Sequence, residues 1–177
     1  MALRAAKCYR KLERPYTRVS TKKPRKSYVK GVPALKIHRF EVGKPKPQFT
    51  LRMFLVSKNP VQIRHNALEA ARVALSKALS KTVGDDSYFL KVLVYPHHVL
   101  RENPLATGAG ADRFQTGMRK AFGRPIGAAA RVKKGQRILE IRIPPAHETS
   151  GKKALKIASS KMPTSCSIEI EKLETQQ

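Results

Sequence analysis

Hydrophobic and polar residues alternate regularly only after the first 47 residues of this chain. From Gln48 to Leu55, apolar side chains occupy every second position, which is the spacing of a half-buried strand. Residues 89–95 are apolar on both alternating faces, so this strand is expected to be buried on both sides. Further strands are predicted at 128–132 and 138–143, around a turn at 133–136, and from Cys166 to Glu171.

Apolar residues spaced three and four apart predict two longer helices. The first is predicted from Pro60 to Thr82, because Asn59 suits the N-cap and Gln62 completes a capping box. Gly84 is expected to end it. The second is predicted at 150–161. The order of strands and helices predicts an α+β fold with a single compact domain.

A third and shorter helix is predicted after Asp112, whose side chain suits an N-cap. Phe114, Met118 and Phe122 recur at every fourth position, so they are expected to anchor this helix in the core. Gly123 is expected to stop it.

Residues 1–47 differ in charge and pattern from the domain predicted at 48–177. The first 50 residues hold 15 Lys and Arg against two acidic residues, which is +13 of the formal net charge of +25. Five prolines block regular structure there. The segment is therefore predicted to be an extended basic arm that binds a polyanion, with a solubilising tail as the alternative. Its predicted RNA-binding residues are Arg4, Lys7, Tyr9, Arg10, Arg14, Tyr16, Arg18, Lys22, Lys23, Arg25, Lys26, Tyr28 and Lys30.

Residues 101–137 are also basic and contain six of the ten glycines. Nine Lys and Arg lie there against Glu102 and Asp112. Glycine admits close approach of the backbone to a nucleic acid, although flexible turns in a loop-rich domain would look the same. The arginines favour the nucleic-acid interpretation.

The sequence contains no complete motif for catalysis, metal binding or cofactor binding, because required residues or spacings are missing. Arg113 replaces the third glycine of a dinucleotide loop, and no P-loop occurs. The adjacent His97 and His98 would point to opposite sides of an extended chain, so they suit packing or RNA contact better than a metal. Cys8 and Cys166 lack the spacing of a disulfide framework or zinc site. No catalytic residue, metal or cofactor is predicted.

The residues alone thus predict a basic α+β protein that binds structured nucleic acid by shape and phosphate. Two alternatives stay open: an RNA-modifying enzyme, which would need a general base or cofactor loop, and a DNA-compacting protein, which would not distinguish ribose from deoxyribose. No apolar run approaches the roughly 20 residues that cross a bilayer, so an intracellular protein without a membrane partner is expected.

Three stretches resemble a universal ribosomal protein family, numbered ten in archaea and eukaryotes and sixteen in bacteria. They are GAGADRFQTGMRKAFGRPIGAAARV at 108–132, AKCYRKLERPYTR at 6–18 and KPRKSYVKGVP at 23–33. These three stretches are most similar in sequence to the archaeal members of the family. The resemblance spans nearly the whole chain.

The resemblance implies a hammerhead-type domain without catalytic activity, in cytoplasmic ribosomes. It implies binding to large-subunit rRNA near the aminoacyl-tRNA site and the tRNA elbow, next to neighbouring ribosomal proteins. It also implies an internal loop at about 101–116 directed toward the peptidyl-transferase centre and peptidyl-tRNA, supporting translation and subunit maturation. In this loop Asp112 would cap the N-terminus of a helix and would not take part in a chemical reaction. Residues matching the family motif, and hence expected to contact RNA, are Arg101, Gly108, Gly110, Arg113, Gln115, Thr116, Arg119, Arg124 and Arg131, together with the nearby Lys120 and Lys133.

Overall fold

The fold is α+β, as predicted. The computed structural model describes residues 3–20, 22–43, 45–46, 49–106, 108–113, 115 and 117–172. Gln48, Phe114, Thr116 and the side chain of Asp112, which carried sequence predictions, lie outside this description. Within the described residues, the helices are α1 His65–Thr82 and α2 Glu148–Ser159, and the strands are β1 Glu41–Val42, β2 Leu51–Ser57, β3 Val61–Arg64, β4 Phe89–Val92, β5 His98–Glu102, β6 Arg124–Val132, β7 Arg137–Ile143 and β8 Cys166–Lys172.

The strands form two antiparallel sheets. The larger sheet has the order β1-β4-β7-β2-β8, and the smaller has the order β3-β6-β5. The two helices pack on one another and on the larger sheet. Leu51, Met53 and Leu55 of β2 are buried in the resulting core, which also contains residues of α1, α2 and the smaller sheet.

Gly151 lets α2 approach the larger sheet closely. A Cβ atom on this residue would lie 2.6 Å from Ile143 Cδ1 and 2.8 Å from Met53 Sδ. A side chain there would have to displace buried atoms, and densely packed cores resist such displacement.

The predicted start of the first helix is wrong. Residues 61–64 form β3, and α1 begins at His65 without a side-chain N-cap. Val61 and Ile63 are buried, and β3 pairs with β6 along its whole length. The apparent capping box fails because these β-branched residues gain more from a sheet position than Asn59 offers as a cap.

The predicted helix at 112–122 is also wrong. Ala111–Arg113 forms one turn of 3-10 helix, and turns follow at 117–122. Met118 is 63% exposed and Phe122 is 46% exposed, so neither anchors a core. Helical spacing alone does not stabilise a helix, because most helical stability comes from burying an apolar face, and these two side chains are exposed.

The strand prediction for residues 89–95 needs correction. β4 ends at Val92, and beyond it Leu93 is 37% and Tyr95 is 47% exposed, so the segment is not buried on both faces. The strands predicted on either side of the turn at 133–136 are confirmed as β6 and β7, although β6 begins earlier, at Arg124, and the two strands belong to different sheets. The predictions for β2, for β7, for α2 within two residues and for β8 are confirmed.

Candidate nucleic-acid interface

The first part of the arm lies against the smaller sheet through hydrogen bonds to its own backbone. Gln62 of β3 donates its backbone N–H to Arg10 O at 2.8 Å and its side-chain amide to Tyr9 O at 2.7 Å. Arg131 of β6 donates Nη2–H to Glu13 O at 2.7 Å. These contacts fix the course of the chain while the Arg10 side chain stays exposed.

Thr17 connects the arm to β5 through the buried His98. Thr17 Oγ1 accepts the Val99 N–H at 3.2 Å and lies 3.1 Å from His98 Nδ1. The Thr17 hydroxyl therefore bonds both the β5 backbone and the imidazole of His98. Burial lowers the pKa of His98, and the cationic Arg131 and Arg101 lower it further. His98 is therefore a neutral packing and hydrogen-bonding group near neutral pH.

Arg101 links the arm to the start of the loop at 101–116. Its guanidinium carbon lies 4.2 Å from the ring centre of Tyr16 and 4.1 Å from that of Phe122. Its Nη1 also donates to Phe122 O at 2.7 Å. The two aromatic contacts and the hydrogen bond to Phe122 O together hold the side chain in one place. We call Arg101 together with Tyr16 and Phe122 the Arg101 clamp.

Glu102 and Gly123 close the base of the loop beside the Arg101 clamp. Tyr9 donates its hydroxyl to Glu102 Oε2 at 3.3 Å, and Arg4 Nη1 lies 3.4 Å from Oε1. Gly123 has φ +79, and a Cβ there would lie 2.7 Å from Glu102 O. Only glycine combines this conformation with so close an approach.

Nearer its tip, the loop is bridged by one side-chain amide. Gln115 Oε1 accepts the Ala106 N–H at 2.7 Å, and Gln115 Nε2 donates to Ala106 O at 2.9 Å. Pro104, Leu105 and Ala106 are exposed. Gly108 and Gly110 have positive φ and open space around their Cα atoms, so backbone is presented without side-chain cover.

The middle of the arm is a closed turn between Arg18 and Tyr28, which we call the basic turn. Tyr28 N–H donates to Arg18 O at 3.0 Å, and the Arg18 guanidinium carbon lies 5.4 Å from the Tyr28 ring centre. A 3-10 turn at Pro24–Lys26 lies inside it. The exposed cations of this turn are Arg18, Lys22, Lys23, Arg25 and Lys26.

The predicted binding residues divide into two groups. One group makes contacts within the chain and comprises Arg4, Tyr9, Tyr16, Arg101, Gln115 and Arg131. The other is exposed and forms no ion pair among the described residues; it comprises Lys7, Arg10, Arg14, Arg18, Lys22, Lys23, Arg25, Lys26, Lys30, Arg113, Arg119, Lys120, Arg124 and Lys133. Tyr28 is exposed as well. RNA contact by either group stays a prediction.

Sequence reasoning missed a second aromatic cluster beside the arm. Phe40 stacks on Tyr95 with ring centres 5.2 Å apart, and His97 lies 4.4 Å from Tyr95. Treating 89–95 as one buried strand hid this cluster. Pro96 was the available signal, because proline cannot continue the pairing of a central strand, and Tyr95 and His97 on either side of it are exposed.

Metal and membrane features are absent from the described part of the chain. Within it, no three His, Cys, Asp or Glu side chains are grouped to hold a metal ion. Helices α1 and α2 are both too short or too polar to span a bilayer. Cys8 is exposed, while burial raises the pKa of the half-buried Cys166, so that thiol is protonated at neutral pH.

Comparison with known proteins gives one consistent result. The family model described as ribosomal protein L16p/L10e matches residues 16–169. A large ribosomal subunit protein uL16 from Staphylothermus marinus is 52% identical over 164 residues, covering 92% of this chain and 90% of the relative. The protein of the same name from Archaeoglobus fulgidus is 46% identical over 172 residues, covering 97% and 95%. That from Thermoplasma acidophilum is 46% identical over 173 residues, covering 97% and 94%.

Proposed function

Since the chain belongs to the ribosomal protein L16p/L10e family, we propose that it is a structural constituent of the large ribosomal subunit in the cytoplasm. The observation that carries this proposal is the family match over residues 16–169, which includes most of the arm, the loop and both sheets. The family is structural, so the chain is not an enzyme. The alternative of an RNA-modifying enzyme is therefore excluded.

The arm and the loop together provide the surface proposed to bind large-subunit rRNA. Support comes from the exposed cations of the basic turn and from Arg113, Arg119, Lys120 and Arg124, none of which has a carboxylate partner among the described residues. Unpaired surface cations bind phosphate by releasing condensed counterions. Arginine adds bidentate hydrogen bonds to phosphate oxygens.

The tip of the loop, residues 103–110, is proposed to serve tRNA, while the arm and the arginines that follow the tip anchor the protein on rRNA. Following the family resemblance, it would point toward the peptidyl-transferase centre and peptidyl-tRNA, near the aminoacyl-tRNA site. Three features support a separation of roles. The loop base is tied to the arm through Arg101 and Glu102, its tip is exposed, and its described glycines have open space around them. The tip therefore adds little to the core.

Replacement of residues 103–108 by a short Gly-Ser linker tests this proposal. The variant keeps the Arg101 clamp and the arm, so we expect normal incorporation into large subunits, measured by sedimentation of reconstituted particles. Peptide synthesis by those particles, or their final maturation, should fall. The control changes Asp85 and Asp86, in another exposed turn, to Gly and Ser.

The outcomes separate the two halves of the proposal. If the wild-type protein does not co-sediment with large subunits, the ribosomal assignment is wrong. Parental rates of peptide synthesis with the linker variant would instead reject only the role of the loop. Competition of large-subunit rRNA with duplex DNA for the wild-type protein addresses the DNA-compacting alternative, because only the ribosomal proposal requires preference for folded RNA.

A further inference from the structure

A groove of about 630 Å³ lies between the arm and the segment that follows β4. Val19 of the arm lines one side, and Leu93, Tyr95 and His97 line the other. Val19 is 61%, Leu93 37% and Tyr95 47% exposed. This apolar and aromatic surface is open to solvent in a protein whose aromatic content is only 6%, so its exposure needs a physical reason.

The rings of Tyr95 and His97 line the groove and contact one another, and Tyr95 also contacts Phe40 outside the lining. Tyr95 stacks on Phe40 at an interplanar angle of 19°, and His97 is tilted by 44° against Tyr95 at 4.4 Å. Phe40 supports the Tyr95 ring while much of Tyr95 stays accessible. A supported ring that remains open is the arrangement on which nucleobases stack in proteins that bind unpaired RNA.

The polar lining of the groove favours an electron-rich ligand with an anionic neighbour. Arg131 lines it, held by Glu13 O at 2.7 Å and Gln62 Oε1 at 3.4 Å, and no carboxylate among the described residues does so. Gln136 Oε1 accepts the Lys133 N–H at 2.8 Å, so its amide nitrogen is the end that can donate to a ligand.

Cations also flank the groove along the chain. Arg18 precedes the lining residue Val19, and Lys133, which is exposed, lies three residues before the lining residue Gln136 and bonds it through its backbone N–H. An apolar side chain of another protein would gain from the rings but nothing from these charges. A base attached to a phosphate backbone gains from both.

We propose that this groove binds an unpaired nucleobase of the RNA partner, stacked on Tyr95 and His97, with Arg131 near the adjoining phosphate. The inference rests on the proposed rRNA binding and adds a site that reads an extruded base. The base belongs to a longer RNA strand, because one lining arginine is too little charge to hold the phosphate of a free nucleotide tightly.

The test combines Tyr95→Ala with Tyr95→Phe and with Ile157→Ala, which removes an equally exposed apolar side chain from α2. Each protein is bound to a large-subunit rRNA fragment, and base reactivity is measured with base-specific chemical probes. One unpaired nucleotide should be protected by the wild type, Tyr95→Phe and Ile157→Ala, and reactive with Tyr95→Ala. Affinity for the fragment should fall about 5- to 150-fold with Tyr95→Ala alone.

Val19→Asp gives a second measurement that does not depend on the packing of Tyr95. Residue 19 is exposed in the arm, so the change cannot unfold the core, yet it adds a carboxylate to the groove. The same nucleotide should lose its protection. Retention of full protection with both Tyr95→Ala and Val19→Asp would overturn the inference.

Two further outcomes are decisive. If the wild type fails to bind the rRNA fragment, the proposed function itself is wrong. If it binds with steep salt dependence and no base depends on Tyr95, only the base site is wrong, and a protein segment is the occupant to seek. Displacement of the RNA by micromolar adenosine or uridine monophosphate would also reject the site, because a free nucleotide would then be its ligand.

Discussion

Cations on the outer face of the larger sheet and cations of the basic turn have opposite surroundings. On the sheet, Glu140 accepts hydrogen bonds from Arg52 at 3.0 Å and Arg142 at 2.7 Å. Arg137 pairs with Glu169 and Glu171 in the same way. In the basic turn, the described residues supply no carboxylate to any of the five cations.

Cations on the sheet also cover aromatic rings. The Arg137 guanidinium lies 3.9 Å from the Phe54 ring centre, and that of Arg142 lies 5.4 Å from the Phe89 ring centre. Both phenylalanines are buried. These arginines act as part of the packed structure, so a count of positive charges does not reveal which of them bind RNA. The absence of a neighbouring carboxylate in the described structure distinguishes the candidates.

The largest expected effect comes from removing charge from the basic turn. Changing Lys22, Lys23, Arg25 and Lys26 to Gln should make the negative slope of log affinity against log salt shallower by about three units. Each lost phosphate contact removes roughly 0.7–0.9 from its magnitude. Binding to an rRNA fragment is measured over a range of potassium chloride concentrations. Folding stability should not change, since these side chains are exposed.

A matched variant removes four exposed cations from the helices, Lys77, Lys81, Lys153 and Lys156. We expect a clearly smaller change in the salt slope, since the proposed interface is the arm and loop. Equal effects of the two variants would show that only total charge matters, and the comparison between the two regions would lose its meaning.

An intermediate effect, on stability alone, is expected at Glu140. Glu140→Ala leaves Arg52 and Arg142 without their shared carboxylate, so unfolding in urea should show a loss of about 2–3 kcal/mol. The salt slope of RNA binding should stay unchanged. A loss of RNA affinity at low salt from a fully folded Glu140→Ala protein would contradict the structural role of this pair.

The same carboxylate predicts the pH dependence of stability. Burial opposes ionisation of Glu140, but hydrogen bonds from Arg142 and Arg52 outweigh it and hold its pKa below the ordinary value. Because the folded pKa lies below the unfolded one, the stabilisation is complete above about pH 4.3 and is lost as pH falls through the folded pKa. The difference in unfolding free energy between wild type and Glu140→Gln should therefore shrink in acid.

The smallest effect is expected from the exposed partners of Arg137. Glu169→Gln combined with Glu171→Gln should change the unfolding free energy by no more than about 1 kcal/mol, because both pairs are solvent-exposed. Since the proposed interface is the arm and loop, freeing Arg137 should leave the salt slope of RNA binding unchanged. A rise of about one unit would mean that RNA reaches the sheet face.

The sequence predicts elements whose pattern is satisfied locally. β2, β7 and β8 alternate, and α2 repeats at helical spacing, so each was found near its true bounds. Residues 61–64 were mistaken for helix because their pairing partner, β6, lies some 70 residues away in the chain. Met118 and Phe122 have helical spacing, but spacing does not reveal whether a surface is there to bury them.

The residue types of the candidate site could be predicted from the sequence, but their arrangement in space could not. The cations and glycines at 101–137 stand out in the sequence. The contacts of Arg101 with Tyr16 and Phe122 join three distant parts of the chain, and only tertiary structure brings them together. The Tyr95 groove was missed for the same reason, since the arm forms one of its sides.

The amide bridge between Gln115 and Ala106 restricts the conformations that the chain between β5 and β6 can adopt. Without it, a flexible segment would run from Glu102 to Arg124, and the entropy of closing such a segment grows with the logarithm of its length. The bridge joins residues nine apart, which divides that segment into a short stem and a small ring. A closed ring has fewer accessible conformations than an open chain of the same length, so the bridge lowers the conformational entropy that a binding partner of the tip would have to overcome.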